Sequence, residues 1–260
     1  MADYILARKS RNIASGAVHI FLNILLGIGA VLVTVFSSSP LFGFLLVLVS
    51  KWRIFAVRRR YLWLNLKSNL VDLIVGMSVV LLSYYAGNTL LPVDFVLMSF
   101  YVIWLVIIKP LSSENATLVQ SLIAVFLGIS ATTFVTAGQS PVFTIFLAFL
   151  VGYAASRHVL SQTSNRDFTM TTLVCGLIFA EIAWLCQSWA IVYTFGASGI
   201  RIPQVAIILT IFAFIYNYAR QAIIRYQDDF RFRHIIGPVL FGVILVGIIV
   251  IWFSNPIFNI

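Results

Sequence analysis

Apolar residues in this chain fall into long blocks separated by short polar gaps. The blocks lie at about 15–36, 41–57, 70–91, 93–108, 116–137, 141–155, 168–195, 202–218 and 235–253. Runs of this length are expected to be membrane-spanning helices. The second is the weakest. Leu41 to Ser50 makes only ~15 Å of helix, and continuing through Lys51 and Arg53 to Val57 brings it to ~25 Å. The two cations would then snorkel to the interface. The gaps after alternate blocks are turn-like: Ser37-Ser38-Ser39-Pro40, Leu91-Pro92-Val93-Asp94 and Ala137-Gly138-Gln139-Ser140-Pro141. Proline and glycine there end one helix and start the next.

Charge turns this pattern into a topology. Of the seventeen Lys and Arg residues, all but Arg201 fall in every second gap or, for Lys51 and Arg53, at the end of the second block next to such a gap. Cationic gaps are retained on the cytoplasmic face. The expected fold is therefore an all-α, polytopic helix bundle of about nine spans, N-terminus inside and C-terminus outside, in a single membrane domain over 1–260. A re-entrant second block would move Arg58, Arg59, Arg60 and Lys67 to the outer face and reverse every later gap. The first block is too long for a signal-peptide core and lacks a small-residue cleavage site, so it reads as a retained helix.

Composition agrees. Hydrophobic residues make up 61% of the chain and charged residues 10%, with mean hydropathy +1.03. The net charge of +9 flanks apolar spans, so anionic inner-leaflet lipid explains it and nucleic acid does not. The mixed aromatic and cationic stretch Arg58–Lys67 (with Arg59 and Arg60), and Arg220 and Arg225 on an amphipathic extension from Ala219 to Phe230, read as depth anchors or as contacts to anionic lipid head groups.

Few residues carry candidate chemistry. Glu181 lies thirteen residues into the Phe168–Phe195 block with apolar neighbours, and Trp184 and Ser188 share its face. A carboxylate there must be protonated, paired or in a wet cavity. It is either a proton or substrate site, or a protonated group bonding a neighbouring helix. Asn23, Ser130, Thr132 and Thr133 lie at comparable depth. Asp72, near the inner end of the third span, is expected to pair with Lys51 or Arg53, either as a structural ion pair or as part of a gating path.

Other motifs reduce to structure. Gly196-Ala197-Ser198-Gly199 matches the GxSG of rhomboid intramembrane proteases, but the later His234 belongs to a gap on the opposite face, out of a nucleophile's reach. Cys175 and Cys186, eleven residues apart, are packing residues too far apart along one helix for a disulfide. Asp228-Asp229 balances nearby arginines, and His19 and His158 have no second ligand at metal spacing. No catalytic residue, metal site or cofactor signature is found.

The run Ser50-Lys51-Trp52-Arg53-Ile54-Phe55-Ala56-Val57-Arg58, with Asn65, Asn69 and Asp72 and the segment Glu181-Ile182-Ala183-Trp184, resembles uncharacterised multi-spanning membrane proteins of candidate-phyla bacteria with reduced genomes. The resemblance implies a bacterial inner membrane as the location and no particular activity. Two functional readings follow from the residues. One is a transporter-like or channel-like protein with a polar path around Glu181 and the Ser/Thr-rich stretch Ser130–Thr136. The other is a structural or assembly subunit, supported by aromatic content and unbroken helices, that meets a membrane-protein partner or a second copy and docks lipid or protein on its basic inner surface. A lipid-modifying enzyme would need clustered acid, base or metal groups, which the sequence lacks.

Overall fold

A computed structural model describes residues 2–56, 58–87, 89–161, 168–187, 191–226, 229 and 231–252, without the side chains of 2–15, 53, 55, 59, 168, 197, 224 and 252. Helix accounts for 85% of it. The elements are α1 (Ala2–Ser37), α2 (Pro40–Ser50), α3 (Trp52–Phe55), α4 (Arg59–Ser68), α5 (Leu70–Ala86), α6 (Pro92–Ile103, then a π-helical turn Trp104–Ile108), α7 (Glu114–Val135), α8 (Pro141–Leu160) and α9 (Phe168–Gln187). A short hairpin of β1 (Val192–Thr194) and β2 (Arg201–Pro203) leads to α10 (Gln204–Tyr226) and α11 (Arg233–Trp252).

Local sequence sets the helix starts. Ser39 and Ser140 each accept a backbone N–H through the side chain and are followed by proline at the first helical position, and Ser113 caps α7 in the same way. These side-chain oxygens satisfy amides that the helix itself leaves open. At the start of α6, Asp94 accepts the Leu91 N–H at 2.9 Å and the Ser83 hydroxyl at 2.6 Å, and so ties α5 to α6 while fully buried.

Among the described residues, six helices are long and apolar enough to cross a membrane, within α1, α7, α8, α9, α10 and α11; α4 and α5 together make a seventh candidate bent by 62°. Large apolar side chains face outward throughout, with Phe36 73%, Leu41 67%, Met170 71% and Ile251 79% exposed. Only 6% of the α11 window is buried. A soluble protein seldom exposes contiguous apolar surface on this scale. The protein is an integral membrane protein.

Two cores share α7. Val31, Val47, Val75, Val79, Tyr101 and Trp104 form one, drawn from α1, α2, α5 and α6. Val125, Ile129, Val151, Phe179 and Leu209 form the other, drawn from α7 to α10. The second core depends on a close approach: a Cβ on Gly152 would stand 2.5 Å from the Phe179 ring, so only glycine admits that ring.

Several expected spans change. The 41–57 block is two helices, broken at Lys51 (φ −100°, ψ 14°). Lys51 is 6% exposed and turned into the bundle; it does not snorkel, because a carboxylate on α5 offers it a partner at that depth. The 168–195 block ends as a helix at Gln187. The hairpin that follows turns through Gly196 and Gly199, both at positive φ, where glycine avoids the Cβ clash. The 70–91 block ends at Ala86, and the 93–108 block finishes in the π-helical turn. The extension beyond 218 does continue as helix to Tyr226.

Candidate functional site

Three irregular stretches of backbone meet at one residue. The first is the break at Lys51 between α2 and α3. The second is the bend at Asn69 between α4 and α5, one turn before Asp72. The third is the π-helical turn after α6, closed by the Lys109 N–H donating to the Trp104 carbonyl at 2.8 Å. In an α-helix, residues five apart differ by about 140° in direction. The wider π turn brings them closer to one face, and both side chains reach Asp72. The Trp104 indole Nε1 donates to Asp72 Oδ1 at 3.1 Å, and Lys109 Nζ lies 2.7 Å from Asp72 Oδ2. Lys51 Nζ donates to the same Oδ2.

The expected pairing of Asp72 with Lys51 is therefore present. Lys109 and Trp104 were not expected there, and the Arg53 side chain lies outside the described residues. The cluster carries two ammonium groups on one carboxylate. Asp72 and Lys51 are buried, whereas the Lys109 side chain is 39% exposed. Tyr101, also buried, has its hydroxyl beside Gly76 on α5, where a Cβ would stand 2.7 Å from it. Helix rise places Asp72 ~21 Å below the far end of α5, Lys51 ~17 Å below the start of α2 and Trp104 ~18 Å below the start of α6. On the expected topology, with these helices starting at one membrane face, such depths would fall inside a hydrocarbon layer of ~30 Å.

Neighbouring polar groups extend the site towards α7 and α8. Gln120 Nε2 donates to the carbonyls of Ile108 (2.7 Å) and Leu111 (2.9 Å), which pins the end of the π turn. Gln120 Oε1 meets His158 Nε2 at 2.6 Å. His158 thus joins a hydrogen-bond network.

Glu181 has a different setting from the one expected. It is exposed on α9, in a stripe with Met170, Val174, Leu177, Trp184 and Leu185. Trp184 does share its face, while Ser188 lies outside the described residues. The stripe points away from the bundle, so Glu181 lines no path between the described helices. Thr132 and Thr133 donate to carbonyls of their own helix, and Asn23 meets His19 at 3.2 Å.

The basic surface residues lie near the Asp72 end. Arg58, Arg60 and Arg225 are exposed, and Lys67 and Arg220 are partly so; the Arg59 side chain lies outside the described residues. Arg60 stacks over Tyr61 at 4.5 Å and Lys67 over Trp63 at 4.8 Å. Among the described residues no group of His, Cys, Asp or Glu could hold a metal ion. Cys175 and Cys186 are free and buried. The Ser198 hydroxyl donates to the Phe195 carbonyl within its turn, while His234 stacks on Tyr226 at the opposite end of α10. No family model, curated protein or solved structure matches the chain.

Proposed function

We propose that this integral membrane protein is transporter-like, with nine passes of a bacterial inner membrane, a cytoplasmic N-terminus, and its charged centre at Asp72. The observation that carries this reading is the convergence of three helix interruptions on one buried carboxylate. Interrupted helices are characteristic of substrate and ion sites in membrane carriers, and intramembrane charge is retained where function needs it. The interruptions also remove the support that unbroken helices would give to a purely structural role.

The charge balance points to the class of solute. Two ammonium groups against one carboxylate leave an excess positive charge, and the partly exposed Lys109 can exchange Asp72 for an incoming anion. A small anion is thus the favoured substrate. The basic gaps, including Arg58–Arg60, Lys67, Arg220 and Arg225, then face anionic cytoplasmic lipid and set the depth of the bundle.

The test is anion flux into proteoliposomes, read for chloride, nitrate, phosphate and acetate against empty vesicles. Wild-type protein should carry at least one of them, Lys109→Gln should lose it and Lys109→Arg should keep part of it. Flux unchanged in Lys109→Gln, with the variant monodisperse in detergent, would remove Asp72 and Lys109 from the path. Absence of wild-type flux for all four anions would count against the reading itself.

A second reading, an assembly subunit, draws on Glu181. A carboxylate in an exposed apolar stripe is costly against lipid and is relieved when a partner helix covers it. Stoichiometry in native membranes supports this reading if the stripe residues are cross-linked to a neighbouring chain.

A further inference from the structure

At the hairpin end, far from Asp72, α7, α8, α9 and α10 enclose a cavity of about 330 Å³ beneath the β1–β2 hairpin. That volume falls within the usual range for small-molecule pockets, roughly 300–1,000 Å³. The cavity plays no part in the anion reading above.

Its polar wall is rich in acceptors. Thr132, Thr133, Thr136 and Thr144 all line it. Each spends its hydroxyl proton elsewhere: on the carbonyls of Gly128 (2.8 Å), Ile129 (2.9 Å) and Thr132 (2.8 Å), and, for Thr144, on the Thr136 hydroxyl oxygen (2.9 Å). What these groups retain for a guest is lone pairs. Gln204 also lines the cavity, and its Nε2 donates to the Tyr193 hydroxyl and the Ile249 carbonyl, both at 3.0 Å. Gln187 contributes a buried Oε1 with no hydrogen-bond partner among the described residues. A buried acceptor without a donor is unfavourable, and a guest that supplies one relieves it. No Asp, Glu, Lys, Arg or His is among the described lining residues, and the rest of the wall is largely apolar.

We infer that this cavity is a binding site for a small neutral molecule that presents two or more O–H or N–H donors on an otherwise apolar body. An anion would face the lone pairs of four threonine hydroxyls, and a cation would find no compensating charge. A purely apolar guest would leave Gln187 Oε1 unbonded.

Matched cyclohexane probes test the donor requirement at constant shape. Saturation-transfer NMR on the full chain in detergent would compare cis-1,2-cyclohexanediol, cyclohexanone and cyclohexylammonium, with Thr133→Val and Gln187→Leu variants reporting micelle partitioning. In parallel, Cys186, which lines the cavity, would be labelled with N-ethylmaleimide in a Cys175→Ala background, with and without each probe. The diol should give a signal that the variants lose, and should slow Cys186 labelling at concentrations at least tenfold lower than the ketone. Equal effects of diol and ketone would overturn the donor requirement, and a stronger effect of the ammonium would overturn neutrality. A diol signal that the variants retain, with no protection of Cys186, would overturn the site.

Discussion

Lys109 Nζ sits 2.7 Å from the Asp72 carboxylate only because the helix between Trp104 and Ile108 is wound as a π turn. The same turn delivers the Trp104 indole to the other carboxylate oxygen. One local change in winding thus supplies two of the three groups that stabilise a buried charge.

Charge counting orders the stability of variants at this cluster. Asp72→Asn leaves two ammonium groups facing each other without a counter-charge, and is expected to cost about 3–5 kcal/mol, the range for breaking a buried pair. Lys51→Met leaves Asp72 neutralised by Lys109, so its cost should be smaller. The Asp72→Asn/Lys51→Met double variant should melt at a higher temperature than Asp72→Asn alone. Melting curves in detergent check the order; additive losses would show that the two residues act independently.

Trp104→Phe keeps the aromatic volume and removes the indole donor. A hydrogen bond to a charged group is worth about 1.5–3 kcal/mol, and the loss should appear as a lower melting temperature with the fold intact. In the Asp72→Asn background the same substitution should cost less.

Gly152→Ala should destabilise the second core by about 1–3 kcal/mol, the usual cost of overpacking, because the new methyl meets the Phe179 ring. Gly29→Ala is the control: a Cβ there meets nothing within 4 Å, so it should be neutral or slightly stabilising. Equal melting temperatures for the two variants would contradict the close α8–α9 approach.

Much of the bundle is legible in the sequence because its signals are local. Apolar block length, Ser-Pro starts and glycine turns each act within a few residues, and they place α7, α8 and the start of α10 closely. The Lys51–Asp72 pair is legible for a related reason, since the two spans are joined by a short basic connection. Lys109 and Trp104 are not, because nothing in Trp104-Leu105-Val106-Ile107-Ile108 marks a change in helical winding. Glu181 is misleading for another reason. In a helix surrounded by lipid both faces are apolar, so hydropathy alone cannot say which one is packed. The threonines of α7 stand out as a polar stretch, yet that they face a cavity depends on where α8, α9 and α10 lie.

Substitution at Glu181 separates the two functional readings. Because its side chain is exposed, Glu181→Gln and Glu181→Leu should leave the stability of the isolated protein within about 0.5 kcal/mol of wild type, as expected for surface positions. Anion flux should persist in both if Asp72 is the centre. Loss of flux with unchanged folding would return the functional site to α9.

Topology can be read chemically. Cysteines at Ser38, Gly138 and Ser198 should react with an impermeant thiol reagent from the periplasmic side. Cysteines at Arg59, Asn165 and Gln227 should react only after the cytoplasmic face is opened. External labelling at Arg59 would invalidate the nine-pass arrangement.

The helices around Lys51 are short, and the lipid beside them must respond. From Pro40 to Ser50, α2 offers ~17 Å of wall, against ~30 Å for α8 or α9. Acyl chains touching that side must shorten or splay, at a cost of fractions of a kcal/mol per Å of mismatch. In the nine-pass arrangement proposed above, the bilayer is expected to thin next to the helix break at Lys51. Water and head groups would then come closer to the buried charges from that side, and a thicker membrane would strain the contact more than a thin one.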